Sequence, residues 1–419
     1  MTQKRREGIS VPETFLDTLR VDLRLRAQRA VLHGLALCGD TTAEIALGRS
    51  GDPYPLYERV RERGPLVRSR TGMWTVTGHS LCRQVLRDDR FGVEAGQPGE
   101  PLDLSLLELD PPDHTRLRRL AAPAFRPRLT GAYRGRMEEV AERLLDAVDR
   151  DGFDVVRDLA SPLPITVITD LLGVDEGDHA TFVAYGQAIG LALSGVSSAR
   201  QARELQDATA DLTALFTELA RRRREDPRED LVSVLVAAHD TEALTAPELV
   251  ALCQLLLIAG FETTVNLVGS AVHLLLDHPD QWAALAADPD LAPGAVEETL
   301  RHQSPVQGTT RVAREDVELA GQRLPAGSVV LLLLGAANRD PEVFPEPHRF
   351  DITRTTASEH LAFSSGIHYC LGAALARAEG EVALRALATR MPRLRRAGRP
   401  RHRVGATLRG LVELPVRPG

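Results

Sequence analysis

Lysine is almost missing from this chain: Lys4 is the only one among 51 basic residues, so arginine carries nearly all the positive charge. Together with the heavy use of alanine, that bias reflects a GC-rich coding sequence and says little about function. An excess of positive charge is missing too. The net charge is -7 and the isoelectric point is near 6.0, which argues against a nucleic-acid binder. Cysteine is scarce: Cys38, Cys82, Cys253 and Cys370 lie far apart with no C-x-x-C pair. Neither a zinc site nor a disulfide framework is expected, and a reducing compartment fits. Lys4, Arg5 and Arg6 stand near the N-terminus, but Arg20, Arg24, Arg26 and Arg29 interrupt any apolar stretch behind them. No signal peptide and no membrane anchor are therefore expected, and the chain reads as soluble, cytoplasmic and by default monomeric.

What is present is a large apolar complement. The 419 residues are 43% hydrophobic, enough for two ordinary domains or one large one. Residues 1–50 read as a leader of uncertain structure, and 51–419 as a single domain. A helix is expected from Asp52-Pro-Tyr-Pro-Leu-Tyr57 to Arg63, ended by Gly64-Pro65, with short strands at 66–69 and 73–77. The Gly-, Pro- and Glu-rich stretch from Gly92 to Pro101 reads as a loop. Helical patterns dominate from Asp113 to His302, and 306–334 is rich in strands with a turn at Pro325-Ala-Gly327. The expected fold class is mainly α with a smaller β component. Its longest helix begins at a capping box, Thr245 with Glu248, carries Pro247 in its first turn and runs to Leu276, roughly 45 Å. Gln254, Glu262, Asn266 and His273 interrupt its apolar content, so it should cross the protein's centre rather than a bilayer.

The most informative run is Phe363-Ser-Ser-Gly-Ile-His-Tyr-Cys-Leu-Gly372. A lone cysteine there follows a glycine-hinged loop and opens an alanine-rich helical stretch. Unpaired N–H groups and the positive helix end should favour its thiolate, the form that binds a soft metal or haem iron. Gly366 permits a sharp turn, and Gly372 would let backbone lie close to a flat ligand. His368 could meet a carboxylate on that ligand's edge. The bland alternative is a buried core cysteine. The run resembles the haem-binding loop of the cytochromes P-450. That resemblance makes Cys370 the axial iron ligand and implies the fold of that family, with the long helix over the haem.

Three further constellations occur in the family's order. Ala259-Gly-Phe-Glu-Thr-Thr264, midway along the long helix, sets an acid beside a hydroxyl in an apolar stretch. Gly260, Glu262 and Thr263 could widen the helix locally and relay protons inward. The segment is similar to the family's oxygen-activating motif, which gives Glu262 and Thr263 the catalytic roles. Taken alone it reads as a packing glycine beside a solvated acid. Glu298-Thr-Leu-Arg301 puts opposite charges three apart on one helix face, most often a surface bridge. It resembles the family's E-x-x-R, a structural lock joined by a downstream arginine, and Arg349 in Phe344-Pro-Glu-Pro-His-Arg-Phe-Asp351 stands at that position. His114 and Arg118, four apart behind Pro111 and Pro112, share a helix face. They resemble the family's H-x-x-x-R, whose side chains hold haem propionates, and Arg311 resembles the third propionate partner. Ser364 departs from the pattern, since many soluble bacterial members carry glycine there.

The resemblance covers roughly residues 52–415. It implies a haem-thiolate monooxygenase that uses haem b (iron-protoporphyrin IX) and O2 to hydroxylate or epoxidise an apolar small molecule. Electrons would come from a ferredoxin and an NAD(P)H-dependent ferredoxin reductase. Arg116, Arg119, Arg126 and Arg128 could form its docking patch, or simply a solvated charged face. The Gly92–Pro101 loop and Tyr185–Ser198 sit where family members cover the pocket. Small residues in the second segment point to a fairly large substrate, such as a polyketide, macrolide or terpenoid. Leu255, Ala259 and Val306 are the candidate pocket residues. A peroxide-driven peroxygenase on the same fold and a non-catalytic haem sensor or carrier are the alternatives.

Overall fold

The computed structural model describes residues 15–48, 51–93, 105–125, 127–174, 198–241, 243–403 and 405–419, with Phe182, Ala184 and Tyr185 between them. The chain begins with two helices inside the expected leader, α1 (Phe15–Leu37) and α2 (Thr41–Ala46). Asp40 caps α2, accepting the Ala43 N–H at 3.0 Å, and the same carboxylate accepts the Ser69 hydroxyl at 2.8 Å. Ile45 packs with Tyr57, Val60 and Val67. Residue 50 is therefore no structural boundary, because 40–46 are stitched to the helix and strands downstream of it.

That body continues with α3 (Tyr54–Arg61), β1 (Leu66–Arg68), β2 (Trp74–Val76), α4 (His79–Arg87), β3 (Phe91–Gly92), α5 (Asp113–Ala121) and α6 (Pro127–Ala147). Next come β4 (Phe153–Asp154), α7 (Pro162–Leu172), α8 (Ala199–Glu225), α9 (Leu231–Asp240), α10 (Ala246–Asp277), α11 (Pro279–Ala287) and α12 (Ala292–His302). The remainder is β5 (Thr309–Ala313), β6 (Val317–Leu319), β7 (Gln322–Leu324), β8 (Val329–Leu332), α13 (Leu334–Ala337), α14 (Ala373–Arg390), β9 (Arg395–Arg396), β10 (Arg401–His402), β11 (Leu411–Glu413) and β12 (Pro415–Arg417). The expected α+β balance is what folds. One five-stranded sheet runs β1-β2-β8-β5-β3, with β2 and β8 parallel and the other pairs antiparallel. The rest of the sheet structure is small, including the pairs β6-β7 and β10-β11 and the trio β4-β12-β9.

Helix α10 is the axis around which the site is built. Its capping box is complete: Thr245 Oγ1 accepts the Glu248 N–H, and Glu248 accepts the Thr245 N–H at 2.8 Å. Among the described residues it is the one helix long and apolar enough to cross a membrane, and 83% of its apolar window is buried inside the protein. It is a core helix, packed by α7, α8, α12 and α14. The cap also fixes α5. Arg116 donates to Glu248 at 2.5 Å and to Asp113 at 3.1 Å, and that guanidinium first of all holds the Glu248 carboxyl down to about 2. One expectation changes as a result. Arg116 is not free to join a docking patch, since both its charge partners lie within the fold. Arg119 is exposed, while Arg126 and the Arg128 side chain lie outside the described residues.

Candidate functional site

Cys370 lies in the loop before α14, whose first turn starts at Ala373. Its N–H donates to the Phe363 carbonyl at 2.9 Å, which closes the loop on itself. Gly366 has φ +69°, and a Cβ there would collide with the Leu86 carbonyl, so the expected glycine hinge is a real steric demand. Gly372 stands differently: a Cβ would meet nothing nearer than the Phe125 ring at 4.0 Å, leaving open space beside the backbone. Phe363 is buried, with the Arg377 guanidinium 4.6 Å over its ring and Glu297 holding that guanidinium at 2.6 Å. Ser364 takes φ +62°, a left-handed backbone that glycine adopts more readily, and its buried hydroxyl has no partner among the described residues.

The helix end is only one of the influences on the Cys370 thiol. Burial pushes its pKa up, while the Gly372 N–H and then the guanidinium groups of Arg118 and Arg377 pull it down. The thiolate therefore needs a positive partner, which a metal supplies. Cys82 and Cys253 are fully buried, and burial first of all, with the charges of Asp340 and Asp230 behind it, drives their thiols far up. Cys38 is exposed, and Cys370 alone combines part exposure with flanking guanidinium groups.

Around it four basic side chains converge. The His114 and His368 rings lie 4.4 Å apart between centroids, tilted by 53°, and Arg118 donates to the Tyr369 carbonyl at 2.6 Å. Arg311, on β5, is buried and donates to the Thr310 carbonyl at 2.7 Å. His368 is held down to about 4, first by burial and then by the charges of Arg311 and His114. His114, Arg118 and Arg311 are likewise lowered, each first by burial. Both ring nitrogens of His114 and Nε2 of His368 are buried without a hydrogen-bond partner among the described residues. Two arginines beside two imidazoles with orphaned ring nitrogens form a site suited to anions. Two carboxylates on the edge of a flat ligand would fit, and this arrangement could hold such a cofactor.

Across from the loop, α10 is open where chemistry requires it. Ala259 is exposed and Gly260 and Thr263 part-exposed, within a helix that is otherwise buried for most of its length. Thr263 Oγ1 donates to the Ala259 carbonyl at 2.8 Å. The expected local widening at Gly260 does not occur: the α-helix is continuous, and Gly260 lets the Ile168 side chain approach, 3.2 Å from where a Cβ would sit. Glu262 is not solvated. It is buried and ion-paired with Arg403, a residue 141 positions away. Burial raises its pKa, and the Arg403 charge opposes that. Of the remaining pocket candidates, Leu255 is buried in the main core, and Val306 is part-exposed and bridges to Leu408. The Gly92–Pro101 loop beyond Val93, and 186–197, lie outside the described residues.

The charge lock is present but has a different third member. Glu298 and Arg301 are both fully buried and joined by two bonds of 2.7 Å, and Arg301 also donates to the carbonyls of Asn338, Pro347 and Arg349. Arg354, not Arg349, completes it, its Nε lying 3.3 Å from the Glu298 carboxylate with only 9% of its side chain exposed. The Arg349 side chain is 60% exposed and pairs with Glu346 and Asp351; only its backbone carbonyl reaches the lock. Both arginines stand in one segment, and no local signal distinguishes them. Arg403 carries no local signal either. Glu379 is equally silent: a fully buried carboxyl on α14 bonded to Thr264, pushed by burial up to about 8, it reads in sequence as one more polar position of an alanine-rich helix.

Comparison with known proteins gives the arrangement its relatives. The cytochrome P450 family model matches residues 53–390. The cytochrome P450 monooxygenase PikC of Streptomyces venezuelae is 43% identical, over 89% of this chain and 93% of that protein. The 6-deoxyerythronolide B hydroxylase of Saccharopolyspora erythraea is 41% identical, over 87% of this chain and 96% of its own. Among solved structures, P450BioI in complex with a hexadec-9Z-enoic acid-ligated acyl carrier protein superimposes with a TM-score of 0.83. It is 38% identical, over 88% of this chain and 99% of that one.

Proposed function

Because the chain belongs to the cytochrome P450 family and is a monooxygenase of that class, we propose that Cys370 binds the iron of haem b and that Glu262 and Thr263 deliver protons to the opposite face. The family implies a haem-thiolate iron and dioxygen as co-substrate, and when bound that group supplies the redox chemistry of oxygen insertion. The chain's own residues do the rest. Arg118 and Arg311 would neutralise the two carboxylates of that group, and His114 and His368 would donate ring N–H groups to them. The single observation that carries this reading is their convergence beside Cys370, with orphaned imidazole nitrogens, while the nearby Asp110 carboxylate is already paired with Arg314. Ala259 puts only a methyl group on the exposed face of α10, which would leave room for a substrate there. Thr263 holds a hydroxyl at the open face, and Glu262 stores a proton one residue away.

The substrate is a fairly large, largely apolar natural-product scaffold of the polyketide, macrolide or terpenoid kind. The small side chains of the open helix face and the names of two relatives support that reading. Electrons come from a ferredoxin and its NAD(P)H-dependent reductase. The test is a binding screen of macrolide and terpenoid scaffolds read by the haem absorption band, with Thr263→Ala assayed alongside. The expected results are a spectral shift with an apolar scaffold and, in Thr263→Ala, reducing equivalents diverted to hydrogen peroxide while haem is retained. Full coupling in that variant removes Thr263 from the relay. Equal turnover with peroxide alone would favour a peroxygenase.

A further inference from the structure

One ion pair beside Cys370 has no part in the roles above. Arg377 stands in the second turn of α14, and Glu297 meets it from α12. Arg377 Nε and Nη2 donate to the two Glu297 carboxylate oxygens at 2.6 and 3.2 Å, a bidentate pair that fixes the plane of the guanidinium. Held there, the guanidinium lies 4.6 Å over the Phe363 ring, and its Nη1 donates to the Tyr369 hydroxyl at 3.4 Å. These are the two loop residues that place the sulfur. Tyr369 precedes Cys370 in the chain, and the Phe363 carbonyl accepts the Cys370 N–H at 2.9 Å.

The pair is asymmetric toward the loop. Its cation touches Phe363 and Tyr369, while its carboxylate stands on α12 with His360 Nε2 3.5 Å away. Burial first of all holds His360 down to about 4, so it is neutral near pH 7 and Arg377 is the cation that Glu297 meets. The Arg377 side chain is 29% exposed and that of Glu297 19%, so solvent screens their charges only in part. Burial raises the Cys370 thiol, and the Arg377 charge is among the influences that pull it back down, after the Gly372 N–H and Arg118. The field of this guanidinium therefore reaches the sulfur.

We propose that Arg377, locked over the Phe363 ring by Glu297, is a positioning residue that sets the reduction potential of the iron held at Cys370. The proposal rests on the assignment of Cys370 as the axial ligand. A fixed cation beside the sulfur keeps negative charge on that atom and away from the metal, which makes the iron easier to reduce; such outer partners tune metal centres generally. Glu297 acts in two ways. It orients the cation, and its own negative charge offsets part of the cation's field. Removing one partner or the other should therefore move the potential in opposite directions, whereas a clamp that only holds the loop gives both changes one sign.

A redox titration of the haem-loaded full chain, read by the haem absorption band, tests this. Arg377→Met keeps an unbranched chain over the ring and removes the charge. It is expected to lower the potential by about 59 mV, a tenfold change in the one-electron equilibrium. Glu297→Gln keeps an acceptor for the guanidinium and is expected to raise the potential. Arg377→Lys, which keeps the charge but not the fork, should recover more than half of the loss seen in Arg377→Met. Shifts of the same sign in Arg377→Met and Glu297→Gln, or equilibria within twofold of the wild type in both, refute the proposal. If Arg377→Met takes up no haem, Glu297→Gln decides alone: a rise supports the proposal, and a fall or no change overturns it. The carbon-monoxide spectrum separates the two levels. A wild type without the thiolate-type band removes the Cys370 assignment and this proposal with it, whereas an intact band with unmoved potentials removes only the role of Arg377.

Discussion

Removing the Arg354 side chain should injure this protein far more than removing that of Arg349, five residues earlier. Arg354 is 9% exposed and touches a Glu298 carboxylate with no solvent exposure at all. It also donates to the carbonyls of Pro345 at 2.6 Å and Arg349 at 3.0 Å. Arg354→Ala therefore leaves the buried Glu298 carboxylate with one of its two cations, Arg301, and takes a donor from the carbonyls of Pro345 and Glu346. Breaking a buried pair from one side costs about 3–5 kcal/mol. Arg349→Ala removes surface pairs to Glu346 and Asp351, worth about 0–1 kcal/mol. With an unfolding entropy near 2.1 cal/mol/K per residue, the first change lowers Tm by roughly 3–6 °C and the second by roughly 1 °C or less. Urea titration at fixed pH, followed by circular dichroism with the slope m compared across variants, separates the two. Equal losses for Arg349→Ala and Arg354→Ala would refute the assignment of Arg354 as the third member.

Ser364→Gly should stabilise the loop by about 1 kcal/mol, since it relieves a left-handed backbone and deletes an unpaired hydroxyl; a loss in thermal unfolding would contradict this. The Glu379 carboxyl is pushed up to about 8 from an ordinary 4.5, so its favourable contribution is whole below pH 4.5 and fades as pH rises through 8. Glu379→Gln should accordingly gain up to about 3 kcal/mol at pH 7 and nothing near pH 4.5; a gain that does not vary with pH would sink the reading. Burial holds His302 down to about 2 and His360 down to about 4, so both fold neutral and take up protons on unfolding. Stability is whole above about pH 6.5 and falls below it, by about 2 kcal/mol for each histidine at pH 5. The Glu379→Gln background, which removes the opposing carboxyl, is the place to measure it, and flat stability from pH 7.5 to 5 would be the contrary result.

Much of the fold and the site is legible in the chain because local rules and tertiary demands agree there. The capping box at Thr245 forms as expected, since its donors and acceptors lie within three residues. The strands at 66–69 and 73–77 and the helix at Tyr54 appear where glycine and proline bracket them. Gly366 is a hinge because its φ and the Leu86 carbonyl both forbid a side chain. Partnerships over long separations are not legible. Arg403 meets Glu262 only after the C-terminal segment folds back, and nothing near either residue announces it. Arg349 and Arg354 carry the same chemistry in the same loop, and only the approach to α12 selects one. The expected boundary at residue 50 fails for a similar reason: α2 gains its stability from Ser69 and Val67, which are outside its own sequence. At position 370 helix polarity is only half of the environment, and burial pushes the thiol the other way.

The carbon-monoxide difference spectrum of the reduced, haem-loaded protein tests the central claim most directly, run on the wild type and on single serine replacements of Cys38, Cys82, Cys253 and Cys370. The thiolate-type band should be present in the wild type and in the first three variants and absent in Cys370→Ser. A Cys370→Ser protein that keeps the band, or a wild type that takes up haem without ever showing it, would contradict the account.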